Sequence, residues 1–183
     1  MKKKIYKKIN IFTYDYPYVG NDSHFIEDEI NKITKIFKYV KIIPLKKGQK
    51  LSNTFKHHNN IEFDQSLSES IFSMKILIVF FNIFACKHLW KQFFKIKKPF
   101  FFKKIKMKIK ERILSEFVIL YIKKKKFDKH KEIFYSYWAN HTLIAFNILD
   151  IRDSFARSLG SDLNGFLPGD NYVPFINIKY RKL

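Results

Sequence analysis

Between Glu132 and Arg157 the hydrophobic period changes twice. Glu132-Ile133-Phe134-Tyr135-Ser136-Tyr137 is aromatic and β-branched, as a strand is. Asn140 is suited to cap a helix whose apolar surface is Leu143, Ile144, Phe146, Ile148 and Leu149, and Ser154-Phe155-Ala156-Arg157 then resumes extended structure. A strand, a helix and a strand in so few residues form a parallel crossover unit, and such units hold ligands just beyond the carboxyl ends of their strands. Trp138, Arg157, Gly160 and Asp162 fall at those ends.

The beginning of the chain repeats the signal. Ile9 to Thr13 reads as a strand, followed by a loop in which Pro17 and Gly20 shape a turn and let backbone approach a ligand. Asp22 or Ser23 caps a helix with Ile26, Ile30, Ile33 and Phe37 as its buried stripe, and Glu27, Asp28 and Glu29 fall in its first turns, where negative charge suits the helix dipole. Val40 to Ile43 is a second strand stopped by Pro44, and Ile61-Glu62-Phe63 a short third. The expected fold is a Rossmann-like three-layer α/β domain with a mostly parallel sheet, one domain over residues 1–183, carrying a helical basic insertion at about 66–126.

Within that insertion, Ser66 and Glu69 have capping-box spacing and predict the start of a long helix. The apolar run from Ile76 to Cys86 is bracketed by Lys75 and Lys87. Its eleven residues fall short of the ~20 that span a bilayer. From Lys87 to Lys110 lysines alternate with Trp90, Phe93, Phe94, Phe100, Phe101 and Phe102, with Pro99 as a helix breaker. That mixture suits anionic headgroups, and it equally suits a solvated lysine face with its rings turned inward. Glu111 to Ile122 has helical spacing and ends in Lys123 to Lys126.

The formal charge of +20 calls for an anionic partner, with a membrane surface ahead of nucleic acid because arginine is scarce and no nucleic-acid motif accompanies the lysines. Heavy use of Lys, Ile, Phe and Asn also matches an AT-rich coding bias, which discounts that charge. The lone Cys86 forms no internal disulfide and fits a reducing compartment. The histidines lack metal-ligand spacing, so neither metal nor cofactor is expected. Lys7 and Lys8 interrupt the segment behind Met1-Lys2-Lys3-Lys4, against a secretory signal.

Three segments together carry a family resemblance: Tyr16-Pro17-Tyr18-Val19-Gly20 with Phe25-Ile26-Glu27 and Glu29-Ile30; Tyr135-Ser136-Tyr137-Trp138 with Arg157, Gly160 and Asp162; and Tyr172-Val173-Pro174-Phe175. They resemble the N-terminal, acceptor-side domain of family-4 glycosyltransferases of the two-domain GT-B type, which build bacterial surface polysaccharides. Leu159 stands where many members carry His. The resemblance implies substrate contacts at Tyr18, Gly20, Trp138, Arg157, Gly160 and Asp162, and a sugar or lipid-linked acceptor. It also implies a nucleotide-sugar donor held only if a second domain is supplied, that domain being absent from these 183 residues, and a cytoplasmic enzyme peripheral on the inner face of the cell membrane. On the residues alone, Gly20 with the helix start approaches a diphosphate or simply makes a strand-to-helix turn. Arg157 holds a phosphate or pairs with Asp162, Asp162 accepts from an acceptor hydroxyl, and Trp138 faces sugar or core. The alternative function is a non-enzymatic basic protein on an anionic membrane surface or nucleic acid.

Overall fold

A computed structural model describes residues 8–19, 23–52, 55, 59–71, 101–128, 131–138 and 141–157. Strands β1 (Lys8–Thr13), β2 (Tyr39–Pro44), β3 (Ile61–Phe63), β4 (Glu132–Ser136) and β5 (Ser154–Ala156) form one sheet in the order β3-β2-β1-β4-β5. Every pairing among them is parallel, with Lys8 opposite both Tyr39 and Glu132. The strand direction follows from composition. Parallel strands covered on both faces read as near-continuous apolar runs, and β1 and β2 are buried over almost their whole lengths.

Alternation along each strand divides the core in two. Ile9 and Ile11 of β1, Val40 and Ile42 of β2 and Tyr135 of β4 meet helix α1 (Ser23–Ile36) through Ile26, Ile30 and Ile33. On the other face Phe12, Ile43 and Phe134 meet α2 (Ser66–Ile71), α3 (Phe101–Lys125) and α4 (His141–Ile148) through Leu67, Phe117, Val118, Tyr121, Ile122, Ala145 and Phe146. The result is a three-layer, Rossmann-like α/β arrangement. The crossover β1–α1–β2 runs one way along the sheet with its helix on one face, while β3–α3–β4 and β4–α4–β5 run the other way with helices on the opposite face. Connections of one handedness require that exchange.

Three local readings change. Glu27, Asp28 and Glu29 lie in the second turn of α1 rather than the first, too far along to complement the dipole, and two of them bond across to other elements instead. The N-terminus of α2 is held by Asp64, whose Oδ1 accepts from the Ser66 N–H at 3.0 Å and the Ser66 hydroxyl at 2.5 Å, so the cap sits two residues ahead of the Ser66 position read from the capping box. The helix read over Glu111–Ile122 runs from Phe101 to Lys125, and residues 115–119, 121 and 122 are buried almost all round because the sheet, α2 and α4 surround them. The apolar run 76–86, Pro99 and the segment after 157 lie outside the described residues. Among those described, no helix is long and apolar enough to cross a membrane.

At their beginnings β1 and β4 are joined by Asn10, whose Nδ2 donates to Glu132 Oε2 at 2.6 Å, and by the Lys8–Glu132 pair at 3.7 Å. At their ends the Tyr137 N–H donates to the Phe12 carbonyl at 2.9 Å.

Candidate functional site at the carboxyl edge of the sheet

In a doubly wound sheet the strand order reverses at one point, and the loops leaving the two strands there diverge and open a crevice. Here that point lies between β1 and β4. The β1 exit is fastened by the Thr13 hydroxyl, which donates to the Tyr16 carbonyl at 2.5 Å, and by a turn closed from Tyr18 N–H to the Asp15 carbonyl at 2.9 Å; the peptide before Pro17 is cis. Residues 17–19 run beside 50–52, with the Val19 N–H on the Lys50 carbonyl and the Ser52 N–H on the Pro17 carbonyl, both at 2.8 Å.

On the α1 side of the crevice a polar cluster forms. Period-two alternation turns Tyr135 and Tyr137 to the same face, and Glu29 reaches them from α1, where it flanks the Ile26–Ile30–Ile33 stripe one turn after Ile26. The Tyr135 hydroxyl donates to Glu29 Oε1. Arg157, immediately past β5, donates from Nη1 to the Tyr137 hydroxyl at 2.6 Å and to Glu29 Oε2 at 3.2 Å. Its guanidinium lies 5.2 Å from the Tyr137 ring centroid. Trp138 packs edge-on to Tyr137 at 5.1 Å, and its carbonyl accepts the Ser136 hydroxyl at 2.6 Å. Phe155 stacks on Tyr135 at 4.6 Å.

Burial, then the Glu29 carboxylate, raises the Tyr135 hydroxyl well above the ordinary phenol range, and burial with the Glu27 charge does the same at Tyr16. Both are therefore neutral at working pH, and Tyr135 serves as a fixed hydrogen-bond donor to Glu29. Arg157 keeps about a third of its side chain exposed, and both of its bonds use the same nitrogen. A guanidinium has five N–H donors, so those on Nε and Nη2 take no part in these two contacts. The arrangement presents a cation, a carboxylate and aromatic rings at a strand end, a set that suits hydroxyl-rich or anionic ligands.

Trp138 and Arg157 thus come together through Tyr137. Arg157 pairs with Glu29, while Gly20, Gly160 and Asp162 lie outside the described residues. Tyr18 stands elsewhere. Its hydroxyl donates to Gln65 Oε1 at 3.0 Å and its ring meets Phe63 of β3 at 5.7 Å, at the sheet edge opposite β5. With β3 and β5 four inter-strand steps of ~4.8 Å apart, Tyr18 props the β1 loop from the far side. Burial, followed by the Glu69 charge, raises its hydroxyl.

Glu29 and Tyr135 complete the cluster; the sequence reading quoted both within the resembling segments and named neither as a site residue. A carboxylate flanking the apolar stripe of α1, and a second tyrosine in register with Tyr137, were the signals available. Among the described residues no three His, Cys, Asp or Glu side chains gather to hold a metal ion. Compared with protein-family models, with curated proteins and with solved structures, the chain matches none.

Proposed function

We propose that the chain is the acceptor-binding half of a nucleotide-sugar-dependent glycosyltransferase acting on a cell-surface polysaccharide or glycolipid. The observation that carries the reading is that Trp138 and Arg157, which belong to a resembling segment, meet through Tyr137 beside Glu29 at the reversal point of a parallel sheet. The Tyr16-Pro17-Tyr18 segment leaves β1 at the same edge. Arg157 engages a phosphate or ring hydroxyl of the acceptor, Glu29 keeps it aimed, and Trp138 offers an apolar face to a sugar ring. Gly20, Gly160 and Asp162 complete the contacts in this reading. Transfer needs donor and acceptor held in reacting geometry and the leaving diphosphate stabilised. The donor site is therefore supplied from outside these residues.

The test is turnover of a panel of nucleotide sugars with membrane extract as acceptor, alongside glycan binding followed by ligand-observed NMR. The chain alone binds glycan weakly and transfers nothing. A protein carrying a donor domain restores transfer, and Arg157→Ala removes binding without unfolding the chain. Robust transfer by the chain alone, or glycan binding indifferent to Arg157→Ala, refutes the reading.

A further inference from the structure

The edge opposite the crevice has its own character, and the topology produces it. Each crossover helix runs back against the strands, so α1, α3 and α4 all end where the next strand begins, at the amino edge of the sheet. The sequence places lysines at two of those three ends and just beyond them: Lys35 and Lys38, then Lys123 to Lys126, with Lys131 before β4 and Arg152 before β5. All are exposed. The end of α3 is drawn beneath the starts of β1 and β2 by Phe127, whose ring centroid lies 5.9 Å from Lys8 Nζ and 5.7 Å from Lys41 Nζ.

Carboxylates offset about half of this charge and leave a net positive edge. Glu132 takes Lys8, Asp128 takes Lys131 at 3.5 Å, and Asp64 takes Lys125 at 2.8 Å; Asp150 and Asp153 stand at the β5 corner. Lys35, Lys38, Lys123, Lys124, Lys126 and Arg152 enter no ion pair among the described residues. The same edge carries exposed apolar groups. Of the six large hydrophobic side chains exposed in the described part, three are here: Ile36 at 73%, Tyr39 at 52% and Ile148 at 48%. Lys38 Nζ lies 5.4 Å from the Tyr39 ring centroid, so cation and ring stand side by side.

We propose that the amino edge of the sheet is a docking surface for an anionic lipid bilayer, with Ile36, Tyr39 and Ile148 entering the headgroup region and the surrounding lysines meeting lipid phosphates and carboxylates. Charge complementarity selects an anionic partner. The isoleucines select lipid over nucleic acid, because an isolated aliphatic side chain gains from the acyl boundary and finds little at a phosphate backbone read by lysine. This surface differs from the 87–110 stretch and does not depend on the glycosyltransferase reading. It leaves the crevice facing away from the bilayer, about one strand length, ~20 Å, above the docking edge.

The experiment is co-sedimentation with vesicles of phosphatidylcholine containing 30 mol% phosphatidylserine, against pure phosphatidylcholine and against a double-stranded DNA oligonucleotide. The chain binds the anionic vesicles, and rising salt weakens that binding. Replacing Lys123, Lys124 and Lys126 by Gln lowers the vesicle partition coefficient on the order of a hundredfold. Ile36→Ser with Ile148→Ser lowers it several-fold at unchanged salt dependence. Replacing Lys103, Lys104, Lys106 and Lys108 by Gln leaves it within a few-fold. All these sites lie on helices except Lys126, which directly follows α3, and circular dichroism of each variant checks that the helices are retained. Loss of binding in the Lys103–Lys108 variant with retention in the Lys123–Lys126 variant, no preference for anionic over neutral vesicles, or binding to DNA in place of vesicles overturns the proposal.

Discussion

Acid should weaken this fold well before its carboxylates protonate, through His141. Helix α4 opens on this residue, which is buried between the sheet and α3. Burial first, and the Lys110 charge second, push its imidazole from the ordinary 6.5 down to about 3. The folded chain therefore keeps His141 neutral where the unfolded chain accepts a proton. Stability from this group is intact above 6.5 and falls with decreasing pH until the folded value is reached, with a slope near 1.4 kcal/mol per pH unit. Between pH 7.5 and pH 5 the loss comes to about 2 kcal/mol, a shift of roughly 1 M in a urea midpoint for a domain of this size. The assay is urea unfolding read by far-ultraviolet circular dichroism at half-unit pH steps, for the parent chain and for His141→Leu. The variant shifts the whole curve by whatever its packing costs, and only the slope is compared. The slope flattens in the variant because the side chain that takes up a proton on unfolding is gone. Equal acid losses in parent and variant, or a parent midpoint that does not move between pH 7.5 and 5, would refute the argument.

Asp64→Ala removes the acceptor for the Tyr121 hydroxyl at 3.0 Å, the cap of α2 and the partner of Lys125, and lowers stability in urea by about 3–5 kcal/mol, whereas Tyr121→Phe costs about 1 kcal/mol. Burial by itself would raise the Asp64 carboxyl, and the bonds from Lys125, Ser66 and Tyr121 outweigh it and hold the group well below its usual 3.8, so this contribution is present above pH 3.8 and fades as pH falls below it, outside the pH 7.5–5 interval in which His141 is assayed. Gly48→Ala places a Cβ 2.4 Å from the Tyr18 Cβ and destabilises by about 1–3 kcal/mol. The penalty shrinks in a Tyr18→Gly background, which removes the Tyr18 Cβ itself, and an unchanged penalty there would show that the contact is not its source.

What could be read from the sequence follows from how local the determinants are. The five strands, α1, α3 and α4 announce themselves through period and apolar runs that need nothing beyond a dozen residues, and the parallel direction follows from strands that alternate with helices. The positions of Trp138 and Arg157 follow too, because strand ends are fixed once the strands are. Glu29 was visible as one of three acids near a helix start and as part of a resembling segment, with no role attached to it. Its role depends on contact with β4 more than a hundred residues away, which no local rule supplies. Ser66 failed as a cap for a related reason: its own N–H and hydroxyl both donate to the carboxylate of Asp64, already held by Tyr121 and Lys125, and the Glu69 N–H goes to the Gln65 carbonyl. Tyr18 entered as a substrate contact through the family resemblance of Tyr16–Gly20, and the structure sets its ring on Phe63 and its hydroxyl on Gln65, partners that no local rule supplies.

The strand order has one more consequence. Each side of the β1–β4 ladder is continuous in sequence: residues 8–71 carry β1, β2 and β3, and residues 101–157 carry β4 and β5. The sheet is thus two pieces, each internally paired, meeting along one ladder that the Asn10–Glu132 and Tyr137–Phe12 bonds fasten at its two ends. A chain severed between the pieces has the means to reassemble by fragment complementation, since severing and parting them frees the β1 edge of one fragment and the β4 edge of the other, which pair with each other in the intact sheet. The crevice opens on that same seam. Whatever occupies it touches both pieces and binds the joined form alone, so ligand concentration sets how firmly the two fragments associate.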